Sequence, residues 1–247
     1  MEMWRYYDVT HARHGLMNPF SAERLLELGD VLGLDGGTRV LDIACGHAEM
    51  LMRWHERFGI TGVGVDASPY HFARAVERKA ARLPEADLAL VEGDGKDFET
   101  DERFDVAVCL GASWIWGGHA GTLRAMTAHA KPGGVVVVGE PHWRSEPTPA
   151  YLEAEGVTRE TFHDLAGCHD VAVEQGLTLL WMSDATRQDW DRYEMLQNVA
   201  LDEFARAHPD DPDLPALIAQ RRTADQAYLT SGRESLGWAV WAFRVPD

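Results

Sequence analysis

Five short apolar runs alternate with helix-forming segments between residues 38 and 140. Such alternation is typical of a parallel sheet that is covered by helices on both faces. The predicted strands are 38–43, 60–66, 87–92, 104–110 and 135–139, and the predicted helices between them are 48–58, 69–83 and 119–130. The sequence therefore predicts a doubly wound α/β fold.

The rest of the chain is less regular. Apolar runs near the C-terminus predict two further strands that pair as an antiparallel hairpin at the sheet edge, at 176–183 and 236–245, with helices at 186–207 and 213–230. We expect a single domain over 1–247. Its predicted parts are an N-terminal lid at 1–20, a ligand-binding core at 21–143, a helical insertion at 144–175 and closing strands and helices at 176–247.

Composition excludes several classes of partner. The 247 residues include 40 acidic and 23 basic side chains, for a formal charge of −17, and no basic stripe that could neutralise phosphates is present. Nucleic acids and anionic membranes are therefore unfavourable partners. The three cysteines are widely spaced, the N-terminus does not resemble a signal peptide, and no apolar run reaches 18 residues. We expect a cytoplasmic protein without a metal site.

The loop after the first strand reads ACGHAEM over residues 44–50. A dinucleotide-binding loop needs three glycines so that its backbone can approach a pyrophosphate, but here only Gly46 is present. A nicotinamide oxidoreductase is therefore disfavoured. Asp66 follows Gly46 by 20 residues, at the end of the second strand, where a carboxylate can accept hydrogen bonds from ribose hydroxyls. Its alternative role is to cap a helix.

Two more acids occupy comparable positions. Asp42 ends the first strand, and Asp94 follows the third strand within the sequence EGDG. A carboxylate at Asp94 can accept a hydrogen bond from an adenine amine. Because parallel strands place their carboxyl ends at one edge, the three acids predict a site for a ligand rich in hydrogen-bond donors.

These motifs resemble those of the class I S-adenosylmethionine-dependent methyltransferases over residues 36–141. VLDIACG, GVGVDAS and GDG match the family's first, ribose-binding and adenine-binding motifs, although His47 and Ala48 depart from the usual glycine. The resemblance implies a seven-stranded sheet and S-adenosylmethionine as cofactor. The cofactor-binding residues it implies are Tyr7, Asp42, Ala44, Gly46, Asp66, Ala67, Ser68, Gly93, Asp94, Gly95, Leu110 and Gly111.

Other segments are similar to a group of bacterial small-molecule-type methyltransferases without an assigned function. These segments are NPF at 18–20, GASWI at 111–115, GEPHWR at 139–144 and WDRYE at 190–194. This resemblance and the acidic composition favour transfer of a methyl group to a small organic acceptor. The alternative is a protein that binds S-adenosylmethionine without transferring its methyl group.

Methyl transfer from a sulfonium depends chiefly on alignment of the nucleophile, and a base is needed only when the nucleophile is protonated. The candidates for catalytic roles are Glu140, His142 and His14, and His119 also qualifies by its position. For each histidine, the alternative is a hydrogen-bonded structural residue. The candidates for substrate contact are Trp114, Trp116 and Trp143, which otherwise pack in the core.

Overall fold

The computed structural model describes residues 3–247. The first half contains α1 (Met3–Thr10), α2 (Ala22–Leu32), β1 (Arg39–Ile43), α3 (Glu49–Phe58), β2 (Thr61–Asp66), α4 (Pro69–Arg82), β3 (Leu88–Glu92) and β4 (Phe104–Leu110). The second half contains α5 (His119–His129), β5 (Ala130–Trp143), α6 (Pro149–Glu155), α7 (Leu165–Glu174), β6 (Thr178–Asp184), α8 (Arg187–Ala207), α9 (Leu214–Ala227), α10 (Arg233–Ser235) and β7 (Leu236–Arg244).

The seven strands form one sheet in the order β3-β2-β1-β4-β5-β7-β6. Neighbouring strands among the first five are parallel, whereas β7 is antiparallel to both β5 and β6. This topology confirms the predicted fold class, including the antiparallel hairpin. The strand order reverses at β1, which lies between β2 and β4, and ligands of such sheets bind at this reversal.

Each central strand is buried on both faces. Leu41 and Ile43 of β1 pack into one apolar cluster, while Val40 of the same strand packs into the cluster on the opposite face. Successive side chains of a strand point to opposite faces, so this division places helices on both sides of the sheet. It explains the nearly continuous apolar runs in the sequence.

Strand β5 is longer than predicted. The sequence predicted 135–139, but the strand extends from Ala130 to Trp143. At its start Ala130 pairs with Phe104 of β4, and at its end β7 pairs with the residues up to Trp143. Such long-range pairing is not visible in the local pattern around Lys131 and Pro132, which had indicated a turn.

The predicted lid at 1–20 contains helix α1, which the sequence analysis did not predict. Residues 1 and 2 of the lid lie outside the described part of the chain. Tyr6 and Val9 of α1 are buried against Leu201 of α8 and Leu217 of α9. The side chain of Arg5 also forms an ion pair with Asp211 at 3.0 Å. The N-terminal segment is therefore part of the packed structure.

The predicted insertion at 144–175 includes a helix of the main layer. Cys168 and Ala172 of α7 join the apolar cluster on one face of the sheet, whereas Tyr151 of α6 packs in a separate small cluster with Trp143. Within the predicted insertion, therefore, only α6 and the residues around it lie outside the layer of helices that covers the sheet. Among residues 3–247, no helix has the length and apolar character required to cross a bilayer.

Candidate active site

A cleft of about 670 Å³ opens at the carboxyl ends of the first four strands. Helix α1 and Tyr193 of α8 form its opposite side. The residues that line it are Trp4, Tyr7, His11, Met17, Ala44, Gly46, Val65, Asp66, Ala67, His71, Asp94, Gly95, Leu110, Gly111, Ala112, Trp114, Ile115 and Tyr193. The structure thus brings most of the predicted cofactor-binding residues together.

The loop between β1 and α3 has an unusual backbone. Ala44, Gly46 and Ala48 all have positive φ angles, of 62°, 55° and 55°. Alanine rarely adopts this conformation, so two strained residues here must be held by the surrounding packing. A Cβ atom on Gly46 would lie 2.9 Å from Sδ of Met17. Glycine at this position therefore allows the N-terminal segment to approach the loop closely.

Asp66 connects this loop to the end of β2. Its Oδ2 accepts a hydrogen bond from the backbone N–H of Gly46 at 2.7 Å, and its Oδ1 accepts one from the backbone N–H of Ser68 at 2.9 Å. The side chain is 7% exposed and lines the cleft. A carboxylate oxygen has more than one lone pair, so Asp66 retains capacity to bind hydroxyl donors.

The neighbouring strand tips contribute differently. Asp94 is exposed on the cleft, and its Oδ1 accepts the backbone N–H of Lys96 at 2.9 Å. Next to it, a Cβ on Gly95 would lie 2.3 Å from Cγ2 of Ile43, so the adjoining loop can pack closely only with glycine. Asp42 lines a separate cavity of about 40 Å³ beneath the loop. Burial of the Asp42 carboxyl raises its pKa well above the usual range, and the charge of Asp66 adds to this rise.

Besides Asp42, two further predicted cofactor residues lie outside the cleft lining. Ser68 is fully buried and caps α4, because its side chain accepts a hydrogen bond from the backbone N–H of His71 at 3.3 Å. Gly93 precedes Asp94 and is not part of the lining. Their predicted contact with a cofactor remains a prediction.

A directed chain of hydrogen bonds links α1 to α8 at the cleft. The only hydroxyl proton of Thr10 is donated to the backbone carbonyl of Tyr6 at 2.9 Å. The contact of 3.1 Å between Thr10 and Nδ1 of His11 therefore requires Nδ1 to be the donor. Nε2 of His11 is then an acceptor, and the hydroxyl of Tyr193 donates to it at 2.8 Å. As a result, the Tyr193 oxygen offers only lone pairs to a ligand.

Three more histidines surround this chain. His14 contacts the backbone carbonyl of Tyr193 at 3.0 Å through Nε2, and the rings of His47 and His71 lie 5.3 Å apart. Desolvation is the main reason why the pKa values of all of these histidines, and of His11, are lowered; that of His47 falls to about 3. The cluster is therefore neutral at pH 7. Among residues 3–247, no set of three or more His, Cys, Asp or Glu side chains has an arrangement suited to a metal ion.

The three predicted catalytic residues do not line the cleft. Glu140 is 2% exposed, and burial raises its pKa to about 8, although a hydrogen bond from Ser113 opposes the rise. His142 is buried on β5, with Nε2 at 2.9 Å from Oδ1 of Asp184. His14 belongs to the lid and lines a different cavity. Their catalytic roles stay predictions.

His119, the other candidate, is also buried. Its Nε2 lies 3.1 Å from the backbone carbonyl oxygen of Cys168 on α7. Burial is the largest cause that lowers the pKa of His119, to about 4. This environment fits the structural alternative.

The three predicted tryptophans have different environments. Trp114 is 63% exposed and lines the cleft, as a substrate-contacting residue should. Trp116 packs against the core cluster of the sheet. Trp143 is buried, and its indole N–H donates to the backbone carbonyl of Arg159 at 2.8 Å. Only Trp114 is therefore placed to contact a ligand in the cleft.

Sequence reasoning missed several residues of the lining, above all Trp4, His11, His71 and Tyr193. His11 and Tyr193 are 182 positions apart, so no local pattern joins them. Aromatic residues are concentrated near the N-terminus, and this local signal indicates Tyr6, Tyr7 and His14 but neither Trp4 nor His11.

Comparison with known proteins gives a consistent result. Residues 40–134 match the family model described as a methyltransferase domain. The uncharacterized protein YjhP of Escherichia coli (strain K12) is 35% identical over 245 residues, which are 98% of each chain. A crystal structure of an S-adenosylmethionine-dependent methyltransferase from Geobacter sulfurreducens, in complex with S-adenosyl-L-homocysteine, is 34% identical, covers 98% of both chains and has a TM-score of 0.91.

A third relative matches over a shorter range. It is the dTDP-3-amino-3,6-dideoxy-alpha-D-glucopyranose N,N-dimethyltransferase of Streptomyces fradiae, which is 37% identical over 123 residues, or 47% of this chain and 44% of that protein. The present chain belongs to the S-adenosylmethionine-dependent methyltransferases, and it is a methyltransferase enzyme. Its cofactor is S-adenosylmethionine.

The cleft suits this cofactor. Asp66 and Asp94 provide carboxylates for hydroxyl and amine donors, while Val65 and Ile115 provide apolar walls on which a flat base can pack. The positive φ angle and small size of Gly46 open the loop backbone to a ligand. These residues are the ones that would hold the cofactor.

Proposed function

We propose that the enzyme transfers the methyl group of S-adenosylmethionine to a small organic acceptor. The observation that carries this proposal is the closed side of the cleft. Helix α1 lies across the strand tips, and Tyr7, His11 and Tyr193 form a wall opposite Asp66. A space bounded in this way favours a small molecule over a folded macromolecule.

The charge of the chain supports the same conclusion. With a formal charge of −17, the surface repels nucleic acids and anionic membranes at long range. The methyltransferase of Streptomyces fradiae carries the name of an enzyme that acts on an amino sugar nucleotide. Its short match supports the small-molecule class of acceptor. The free cysteines Cys45, Cys109 and Cys168 support a reducing compartment such as the cytoplasm.

We assign the parts of the cleft as follows. Asp66 accepts hydrogen bonds from the ribose, Asp94 accepts one from the adenine amine, and the loop around Gly46 contacts the amino-acid portion. The bound cofactor supplies an activated methyl group on a sulfonium. The role of the protein is to exclude water and to hold the acceptor in line with the bond that breaks. The wall of Tyr7, His11 and Tyr193 is placed to do this.

The proposal is tested by a screen of small molecules for release of S-adenosylhomocysteine. We expect turnover with a small acceptor and none with nucleic acid, protein or lipid vesicles. The Asp66→Ala enzyme serves as the control for release that does not depend on the site. Turnover with a macromolecule only, or tight cofactor binding without turnover of any acceptor, would contradict the proposal.

A further inference from the structure

A second cavity, of about 320 Å³, lies next to the cleft. Tyr7, His11 and Tyr193 line both cavities, so the side chains that close the cleft also form one wall of this second space. We call it the tyrosine chamber, because its other walls include the aromatic side chains of Tyr6, Tyr151, Trp190 and Tyr228. The chamber and the cleft therefore adjoin at these three side chains.

The one arginine that lines the chamber is already satisfied. Arg221 is 2% exposed, and its guanidinium donates to Glu194 at 2.8 Å, to Gln197 at 2.7 Å and to Asp225 at 3.0 Å. Two carboxylates therefore neutralise its charge, and each of its three nitrogens donates to a protein acceptor. The chamber has no free cation among its described lining residues with which to bind an anionic ligand.

A carboxylate of the chamber, in contrast, remains available. Glu155, the last residue of α6, lines the cavity and forms neither a hydrogen bond nor an ion pair with the residues that the structure describes. Desolvation raises the pKa of Glu155, and the charge of Arg221 opposes this rise. The chamber thus combines a carboxyl group that has no paired cation with several aromatic faces. Both attract a cation, since aromatic faces carry negative electrostatic potential.

Two polar groups also have unused hydrogen-bonding capacity at the chamber. The indole Nε1 of Trp190 is buried and has no partner within residues 3–247. The oxygen of Tyr193 donates its proton to His11, as described above, and therefore can only accept a hydrogen bond from a ligand. An unsatisfied buried donor is costly in a protein interior, so these groups suit a chamber that is occupied by a polar ligand.

We propose that the tyrosine chamber binds the methyl acceptor and that this acceptor is a small amine. This inference rests on the proposed function. The amine donates an N–H to Tyr193 at the shared wall, while Glu155 and the aromatic rings stabilise the positive charge that develops on nitrogen. His11 is a positioning residue, because it fixes the direction of the Tyr193 hydroxyl.

The transfer step is balanced in charge and atoms. The lone pair of the neutral amine forms the new N–C bond, and the bond from that carbon to sulfur breaks with its electron pair retained by sulfur. The acceptor leaves as an N-methylammonium ion, and the positive charge has moved from sulfur to nitrogen. No oxidant or metal is required. A proton that the amine carried at neutral pH is lost to solvent before the attack.

A cation that cannot itself be methylated tests the chamber without turnover. The probe is tetramethylammonium, and the matched neutral molecule is tert-butanol, which has the same number of non-hydrogen atoms. Both are titrated into the enzyme saturated with S-adenosylhomocysteine, and binding is followed by the indole N–H resonance of Trp190, assigned with Trp190→Phe. We expect the cation to bind at least roughly tenfold more tightly than the alcohol.

Two variants on the same helix decide whether the chamber is responsible. Glu155→Gln should reduce the preference for the cation to within about twofold. Glu153→Gln removes a charge that is likewise exposed but does not line the chamber, so this variant should preserve the preference. Equal binding of the two probes, no response of Trp190, or equal effects of the two variants would overturn the inference. The proposed function would survive that result if a small acceptor still released S-adenosylhomocysteine.

Discussion

Asp66 has two tasks at the scale of a single residue. It fixes the loop through the backbone N–H of Gly46, and in our account it also binds the ribose. We predict that Asp66→Ala weakens binding of S-adenosylhomocysteine by about 1–3 kcal/mol, because charge-assisted hydrogen bonds are lost. Isothermal titration calorimetry measures this. Asp97→Ala, an exposed acid outside the cleft, is the control. Unchanged affinity of the Asp66 variant would remove this residue from the site.

Tyr193 carries the prediction for the acceptor. Tyr193→Phe keeps the aromatic ring and removes the oxygen that accepts the N–H of the amine. We expect kcat/KM for the acceptor to fall roughly tenfold, the effect of one hydrogen bond, while cofactor affinity changes less than about twofold. Tyr228→Phe is the matched control, since its hydroxyl donates to Asp191 instead. Equal losses in both variants would indicate a general packing effect.

Glu140 leads to a prediction about stability and pH. Burial raises its pKa from 4.5 to about 8, so between these values the folded state keeps a proton that the unfolded state has lost. The contribution of Glu140 to stability therefore decreases as pH rises from about 4.5 to about 8. From pH 5 to pH 8 we expect the parent to lose roughly 3–4 kcal/mol of stability relative to Glu140→Gln.

The measurement is the difference in free energy of unfolding between parent and variant, followed by denaturant titration at several pH values. Taking the difference cancels the titration of groups that both proteins share. At pH 5 the two proteins should differ far less than at pH 8. A difference that is constant with pH would show that the carboxyl of Glu140 does not have a raised pKa.

At the scale of elements, the sequence predicted the strands and helix ends that depend on nearby residues. The apolar runs of β1, β2 and β4 are buried on both faces, and Ser68 with Pro69 begins α4 as expected. Strand β5 was predicted too short because its two ends pair with distant residues, Ala130 with Phe104 of β4 and Trp143 with Leu236 of β7. Helix α1 was missed because eight residues are too few for a helix to be stable without tertiary contacts.

Helix α1 should respond to the cofactor, because its residues Trp4 and Tyr7, and His11 directly after it, line the cleft. We predict that S-adenosylhomocysteine slows amide hydrogen exchange in α1 and in the following segment as far as Met17. Hydrogen exchange with mass spectrometry measures this, and Asp66→Ala at the same subsaturating ligand concentration is the control. Equal exchange rates with and without ligand in the parent protein would show that α1 does not close the site.

At the scale of the whole molecule, the candidate site has one half that the sequence could predict and one half that it could not. Gly46, Asp66 and Asp94 follow strands, so the parallel sheet brings them together by topology alone. His11 and Tyr193 meet only because α1 packs on α8 through Tyr6 and its neighbours. The cofactor half was therefore predictable, whereas the wall that faces the acceptor depends on tertiary packing.

The central claim is that the transferred methyl group faces the wall shared by the cleft and the tyrosine chamber. The most direct measurement is an isotope-filtered nuclear Overhauser experiment on the enzyme with S-adenosylmethionine that carries a ¹³C-labelled methyl group. Our account predicts cross-peaks from this methyl group to the ring protons of Tyr193 and Tyr7. In a sample whose tyrosine rings are deuterated, the cross-peak to Tyr193 should be absent. Cross-peaks to other residues, with none to either tyrosine, would contradict the account.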